Sequence, residues 1–500
     1  MMSLFRQLVI IGLILSALSL AACRAEDSGR TELDQELRTV IAQYHLAGDP
    51  SAGRDLPQIT DPLAQLGMKL FYTQALGGDD DSACVSCHHP LLGGGDELSL
   101  SIGVGADNPS LLGPGRSHPD GPEVPRNAPT TFNAALWDKV MFHDGRVESL
   151  DKTPGLNGAG ELGIRTPETS FGEADPEAGQ NLTVAQSRFP VTSPEEMRGE
   201  TFEVVGHLNR TVRTRLTEKV GGFGAETNLP KNEWLSEFQK AFNSTAGAET
   251  LITEANIFNA IGEYERSQVF VDTPWKAYVA GDDNAISTSA KQGALLFFRS
   301  IEAGGANCAN CHSGDFFTDE QFHVLAIPQI GPGKRDGPDG DDDFGRFRAS
   351  GNPPDLYAFR TPTLLNVEVT GPYGHDGAYI TLEGIVRHNL NPAWAVNNYD
   401  YAQLDPVIQT QNMAINTSKA LAQLEENRAE GLTVIETVSL SDEQVDDIIN
   451  FLLVLTDPCV KEQDCLAPWI PSGTDPDGLQ LLAVGEDGHP LTFTSDLNEQ

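Results

Sequence analysis

The chain has 500 residues, with 72 acidic and 33 basic side chains and a formal charge of −39. That length predicts two or three domains. The charge excludes nucleic acid as a partner and favours solubility and cationic protein partners. Acidity on this scale also suits a surface adapted to salt, so charge alone selects no function.

The first residues read as an export leader. Arg6 precedes an apolar run over residues 8–20 that is too short for a membrane span, and Leu20-Ala21-Ala22-Cys23 has the form of a bacterial lipoprotein cleavage box. The expectation is a leader over 1–23, with Cys23 lipidated, so that the protein is anchored to a membrane by lipid and does not span it. No later apolar run reaches about 18 residues. Residues 24–55 are polar and carry one helical stretch near 33–44, which suggests a tether with a short helix.

A helical apolar pattern over 63–71 leads into Cys84-Val85-Ser86-Cys87-His88, and a second over 289–298 leads into Cys308-Ala309-Asn310-Cys311-His312. Each motif is a c-type haem attachment site. Two thiols on one turn can add to the two haem vinyl groups, and the adjacent His then lies under the iron as its ligand. One copy alone would also suit zinc or thiol redox chemistry; two copies with the His in an exported chain favour two covalent haems. Cys459 and Cys465, close together in a Pro-flanked segment, suit a disulfide, with two free thiols as the bland alternative.

Between and after these motifs, residues 92–127 and 151–193 are Gly/Pro-rich and read as loops, the second too long for a plain connection. Helices are expected at 234–242, 252–269, 382–390 and 442–455, the last opened by the capping-box pattern Ser441-x-x-Gln444. Residues 331–345 read as a Gly/Asp loop, and the acidic run 336–343 within it lacks EF-hand spacing and reads as solvated. Two stretches repeat. Arg126-Asn127-Ala128-Pro129-Thr130, Asn133 and His143-Asp144-Gly145 follow the first haem motif; Arg360-Thr361-Pro362-Thr363, Asn366 and His375-Asp376-Gly377 follow the second. The expected fold is mainly α: two cytochrome c-like haem domains related by internal duplication, with long loops. The expected divisions are 56–285 for the first haem domain, 286–458 for the second and 459–500 for a tail.

With both haem motifs, residues 126–130 and 142–146, Glu196-Met197, Glu263-Tyr264-Glu265-Arg266 and residues 359–377, the chain resembles the bacterial diheme cytochrome c peroxidases and their relatives that oxidise protein side chains. The resemblance spans roughly residues 60–457. It implies a peroxidatic haem in the first domain and an electron-transfer haem in the second. It implies hydrogen peroxide as substrate, a small cytochrome or copper protein as electron donor, and a location in the periplasm of a Gram-negative bacterium, with the lipid on the outer membrane. A homodimer is compatible with this reading. Glu196 carries over as the distal acid/base and Phe142 as a wall of the same pocket; without the resemblance both would read as ordinary surface and core residues. Asn127, with the backbone carbonyls of Thr370 and Pro372, carries over as a calcium site between the domains, a donor set that suits calcium's oxygen preference.

Three departures stand out. Val104 occupies the place of a His that caps the first iron in many members, and His118 is the nearest substitute. His143 occupies the place of an inter-haem Trp, with Trp137 nearby in sequence. Fourteen positions beyond His375, where the family carries Met or Tyr as the second iron's further ligand, stands Asn389; a one-residue shift makes His388 the expected ligand and Met413 the runner-up. The alternatives to a peroxidase are an enzyme that oxidises a residue of a partner protein and a non-enzymatic electron carrier.

Overall fold

The computed structural model describes residues 32–201, 208–225, 228–433 and 435–481. The leader and Cys23 lie outside them. Helices dominate, and the longer ones are α1 (Pro62–Tyr72), α2 (Asn209–Gly221), α3 (Trp234–Ala241), α4 (Glu254–Arg266), α5 (Thr288–Phe298), α6 (Leu382–Leu390), α7 (Met413–Ala429) and α8 (Asp442–Leu453). No described helix is long and apolar enough to cross a membrane.

Each Cys-x-x-Cys-His motif is fed by one half of a tight helix pair. Ahead of the first, α1 packs on α4; ahead of the second, α5 packs on α8. Both pairs close through a glycine. A Cβ at Gly67 would lie 1.8 Å from the Ala260 carbonyl oxygen, and one at Gly293 would lie 1.8 Å from that of Asp447. Only a residue without a side chain lets the backbones approach this closely. Around them, the apolar stripes of α1 and α4 bury Leu66, Leu70, Ile257 and Ile261, while α5 and α8 bury Leu295, Phe297, Val445 and Phe451.

Strands are short. β1 (Val140–Met141), β2 (Val147–Ser149) and β3 (Ile164–Arg165) form one antiparallel sheet, with Val140 opposite Glu148 and Glu148 opposite Arg165. β4 (Phe322–Val324) pairs with β5 (Ala358–Arg360).

The two ends of the described chain cross over. Residues 32–43 are helical, but this segment does not hang free as a tether. Asp34 pairs with Lys291 on α5 at 2.6 Å, the Tyr44 hydroxyl donates to the Phe298 carbonyl at 2.6 Å, and Leu37 is fully buried. At the other end, residues 459–481 dock on the first half: Leu481 N–H donates to the Tyr72 carbonyl at 2.8 Å, and Asp477 accepts from Thr73 and from the Trp234 indole. The division expected at 285/286 is also blurred, because Leu136, Ile164 and Leu182 share a core with α5 and α8. The expected loop over 151–193 contains β3 and a six-residue helix, Leu182–Ser187, capped by the Asn181 side chain. Cys459 and Cys465 form a disulfide.

Two helices, α2 and α7, do not stand out in the sequence. On α2 the apolar residues thin to Val212, Leu216 and Val220 beside a buried Arg213, whose guanidinium is paired with Glu168 and Glu254. On α7 the buried face includes Asn416, Thr417 and Asn427. Polar side chains on the inward face hide the period of 3.6 on which such readings depend.

The helix–helix contact at Gly293 can be tested. Helix propensity alone would make Gly293→Ala stabilising by about 1 kcal/mol. The clash with a backbone carbonyl, which cannot rotate away, outweighs this through an overpacking cost of about 1–3 kcal/mol. Denaturant unfolding of the holoprotein should therefore show a lower midpoint for the variant; a raised midpoint would mean the helices can separate at little cost.

Candidate functional site

The two motifs have the same local build. Cys84–Ser86 and Cys308–Asn310 are single 3₁₀ turns. The N–H of His88 donates to the Cys84 carbonyl at 3.1 Å, and that of His312 to the Cys308 carbonyl at 2.9 Å. Each turn thereby holds two thiols and an imidazole together. The His88 Nδ1 lies 3.2 Å from the Gly94 carbonyl, and the His312 Nδ1 lies 3.1 Å from that of Phe317. A carbonyl on Nδ1 fixes the tautomer with Nε2 free, the arrangement that metal-ligating histidines use. Burial lowers the pKa of both rings, which keeps them neutral and able to ligate.

The surroundings fit a large buried cofactor. At the second motif, Cys308, Cys311 and His312 open into a cavity of about 320 Å³ walled by Phe297, Leu325, Ile327, Leu382, Ile385 and Leu452. At the first, two carboxyls stand close enough to act on the thiols, Glu265 on Cys84 and Asp96 on Cys87. Both are buried, and Glu265 Oε2 and Asp96 Oδ2 have no hydrogen-bond partner. Burial pushes Glu265 up to about 8 and Asp96 up to about 7. Orphaned polar atoms of this kind are rare in a finished core and mark a site completed by another group. All four cysteines of the two motifs are free of disulfides.

Glu196 lies on a single π-type turn, Pro194–Arg198, capped by the Ser193 hydroxyl. Its charge acts on both Cys84 and Cys87, so it faces the first centre. Burial raises its pKa, while Arg146, Lys334 and Arg126 oppose the rise. Phe142 is beside this group: the Arg146 guanidinium sits 3.5 Å over its ring, and its backbone is held in the left-handed region at φ 67°. For a bulky residue that conformation is strained and needs support from its surroundings. The 101–105 loop lies directly on the same turn. Val104 N–H donates to the Glu195 carbonyl at 3.2 Å, and a Cβ at Gly103 would lie 2.1 Å from that oxygen. His118 lies beside Gly105.

Lys334 is the residue that sequence reasoning misses. The 331–345 segment, read as a plain Gly/Asp loop, folds against the first centre. The Arg335–Glu195 ion pair at 2.8 Å ties it down, and Lys334 N–H donates to the Asp342 carbonyl at 2.9 Å. Burial beside Arg146 and Arg126 lowers Lys334 to about 8, against the pull of Glu196 and Asp343. Nothing in the loop's glycine- and aspartate-rich composition signals this placement.

Arg126 joins the halves as a buried bridge, pairing with Asp144 at 2.7 Å and with Asp343 at 2.7 Å. Across the same boundary, Asn127 N–H donates to the His375 carbonyl at 3.0 Å and Arg360 N–H to the His143 carbonyl at 2.8 Å. His143 lines the second cavity with Nε2 3.0 Å from the Asn127 carbonyl, and burial pushes its pKa down to about 3, so its ring is neutral. Trp137 lies in the same wall with the Arg360 guanidinium 3.5 Å over its ring. Asn127, Thr370 and Pro372, expected as a cation site, all line this cavity. The Asn127 side-chain nitrogen donates to the Leu98 and Ser99 carbonyls, which leaves its oxygen as the atom available to a cation.

His388 is not placed as an iron ligand. Its Nε2 lies 2.7 Å from the Leu325 carbonyl and its Nδ1 2.7 Å from the Tyr379 hydroxyl, so both ring nitrogens are engaged. The cavity face of α6 is Leu382, Ile385, Val386 and Asn389, the i, i+3, i+4, i+7 stripe of one helix face. A one-residue shift along a helix is a rotation of about 100°, and it turns His388 into the protein. Met413 is also elsewhere, buried with Leu100, Ile330 and Tyr399.

Comparison with known proteins agrees with this geometry. The profile of the Di-haem cytochrome c peroxidase family matches residues 61–284. The methylamine utilization protein MauG of Methylorubrum extorquens is 27% identical over 336 residues, covering 66% of this chain and 69% of that protein. The cytochrome-c peroxidase IdrP1 of Denitromonas iodatirespirans is 28% identical over 356 residues, covering 66% and 73%. The crystal structure of the diheme peroxidase BthA from Burkholderia thailandensis superposes with a TM-score of 0.51 at 19% identity, over 86% of this chain and 92% of that one.

The placement of His388 predicts a separation of stability from spectrum. His388→Ala strands the Leu325 carbonyl and the Tyr379 hydroxyl, which should cost about 1–3 kcal/mol in denaturant unfolding. The visible spectrum of the holoprotein should not change; loss of a low-spin signal would restore His388 as a ligand.

Proposed function

We propose that this chain, which belongs to the bacterial diheme cytochrome c peroxidase and MauG-like family, reduces hydrogen peroxide to water with two electrons from a small donor protein, a cytochrome or copper protein. One observation carries the reading: Glu196, Arg146 and Lys334 converge beside the first Cys-x-x-Cys-His motif, so an acid/base and two cations meet at that centre. Cys84 and Cys87 would hold the first haem with His88 on its iron, and Cys308, Cys311 and His312 the second. When bound, the haems supply the iron at which peroxide is reduced and a store for the donor's electrons.

The side chains handle protons and charge. Glu196 is half-buried and desolvation raises its pKa, which suits a carboxyl that takes a proton from one peroxide oxygen and returns it to the other. Arg146 and Lys334 offset the negative charge that builds as the oxygen–oxygen bond opens. Phe142, under Arg146, keeps that guanidinium in place. Val104 has no ligating atom, so the first centre needs no loop displacement before peroxide enters.

We place the protein in the periplasm, held to the outer membrane by lipid on Cys23, with calcium at Asn127, Thr370 and Pro372 between two haem domains derived from one another by duplication. The paired backbone bonds from Asn127 to His375 and from Arg360 to His143 support the duplication. A second reading, oxidation of a residue on a partner protein, is favoured by the absence of a capping His at Val104 and by the relation to MauG. Peroxide turnover with a small reduced cytochrome as sole partner would favour the peroxidase.

Glu196→Gln should lower peroxide turnover by about 10²- to 10⁴-fold with haem content unchanged; wild-type turnover would remove Glu196 from the chemistry. Lys334 gives a pH test. Its ammonium is lost as pH rises through about 8, so activity should fall over that interval. Lys334→Arg keeps the charge at all accessible pH and should abolish the fall, whereas Lys334→Met should show low activity at every pH. An alkaline limb unchanged in both variants would assign it to another group.

A further inference from the structure

Arg360 ends β5, where its N–H donates to the His143 carbonyl at 2.8 Å. Its side chain lies on the wall of the second cavity, 8% exposed, with the guanidinium 3.5 Å over the Trp137 ring. One N–H donates to the Val140 carbonyl at 3.2 Å, and Nε has no partner. Burial lowers its pKa to about 10, so it stays charged at neutral pH. The two carboxylates whose charge reaches it, Glu320 and Asp144, are engaged elsewhere. Glu320 accepts from the backbone N–H groups of Asp138 and Lys139 at 3.0 and 2.7 Å, and Arg126 holds Asp144 at 2.7 Å. A buried guanidinium with no counter-charge is costly, because nothing offsets its desolvation.

The wall of the cavity supplies no anion for it. Among the described residues, Glu436 is the only carboxylate there, and it is solvent-exposed. No other Arg and no Lys of the described chain lines the cavity. His143 and His375 are kept neutral by burial, and His323 is paired with Asp319 at 2.8 Å. The cavity therefore carries one uncompensated positive charge. It stands beside Trp137 and His143, which the first half of the chain contributes. Leu325, Leu382, Ile385 and Leu452, elsewhere on the wall, cannot hold an anion.

We infer that Arg360 binds a propionate carboxylate of the second haem and so turns the acidic edge of that group toward the boundary with the first half. The inference rests on the reading of Cys308, Cys311 and His312 as a haem attachment site. A haem held by its thioethers is otherwise apolar, and its carboxylates are the anions that the guanidinium lacks. Trp137 under the guanidinium fixes the direction of its remaining N–H groups.

The test is a potentiometric titration of the holoprotein followed by EPR, which tracks each ferric haem by its own signal, on samples whose haem content is measured. Arg360→Met removes the counter-charge, and an unpaired carboxylate favours the ferric state. At neutral pH the second midpoint should fall by about 59 mV, a tenfold change in a one-electron equilibrium. The stranded carboxylate has a raised pKa, so it takes up a proton on acidification and the gap to wild type should narrow. Arg360→Lys keeps a cation without the planar fork and should shift the midpoint less. Where Arg360→Met does not load the second haem, Arg360→Gln, which removes the charge and keeps a hydrogen-bond donor, is read in the same way. Two haems with an unchanged second midpoint in the neutral variant overturn the inference and leave the diheme reading intact. So does an equal shift in the Met and Lys variants that does not vary with pH, the mark of a structural disturbance. A larger shift on the first haem would give Arg360 to that group and overturn the assignment. Fewer than two haems in the wild type overturns both readings.

Discussion

Everything in this molecule is arranged around two single turns that each hold a pair of thiols and an imidazole on one face. Backbone bonds from His88 to Cys84 and from His312 to Cys308 set that geometry, and the helix before each turn sets where it points. Those helices can be placed so closely only because Gly67 and Gly293 let one backbone rest on another. The remaining helices, the docked ends of the described chain and the long connections pack around the two turns, and the second turn opens into the cavity of about 320 Å³. Burial lowers the pKa of His88 and His312, which keeps them neutral.

The halves are joined by polar contacts as well as apolar ones. Arg126 holds Asp144 and Asp343 together, and both carboxyls stay well below the usual carboxylate range because the guanidinium is beside them. A buried ion pair adds little net stability over an apolar substitute, but removing one partner costs about 3–5 kcal/mol. Its value here is register. It fixes the 331–345 loop beside the first centre, and with it Lys334 beside Glu196. Asn133 and Asn366, from the two halves, donate to one acceptor, the Phe270 carbonyl, at 3.1 and 3.0 Å. The relative position of the two motifs is thus set by directional bonds.

Much of this was legible in the sequence because it is local. The helices that feed the Cys-x-x-Cys-His motifs, the capping box at Ser441 and the Cys459–Cys465 pair depend on neighbours in the chain, and the structure agrees on each. What was not legible depends on distant partners. The helix over 32–43 looks like part of a tether until Asp34 meets Lys291. Lys334 looks like an ordinary loop residue until Arg335 meets Glu195. The expectation at His388 failed for a geometric reason: a one-residue slip along a helix exchanges a cavity-facing side chain for one turned into the protein, and Asn389 keeps the cavity. Composition gave no hint that α7 would bury Asn416 and Asn427, because a satisfied polar residue in a core looks like a surface residue in a sequence.

The account depends most directly on both motifs carrying covalent haem. The mass of the intact, denatured chain after extraction of non-covalent cofactor, with fragments assigned to each motif, tests this in one experiment. Two haem masses are expected, one on the peptide holding Cys84 and Cys87 and one on the peptide holding Cys308 and Cys311. A chain that carries one haem or none, or a motif recovered with two free thiols from fully loaded protein, would contradict it.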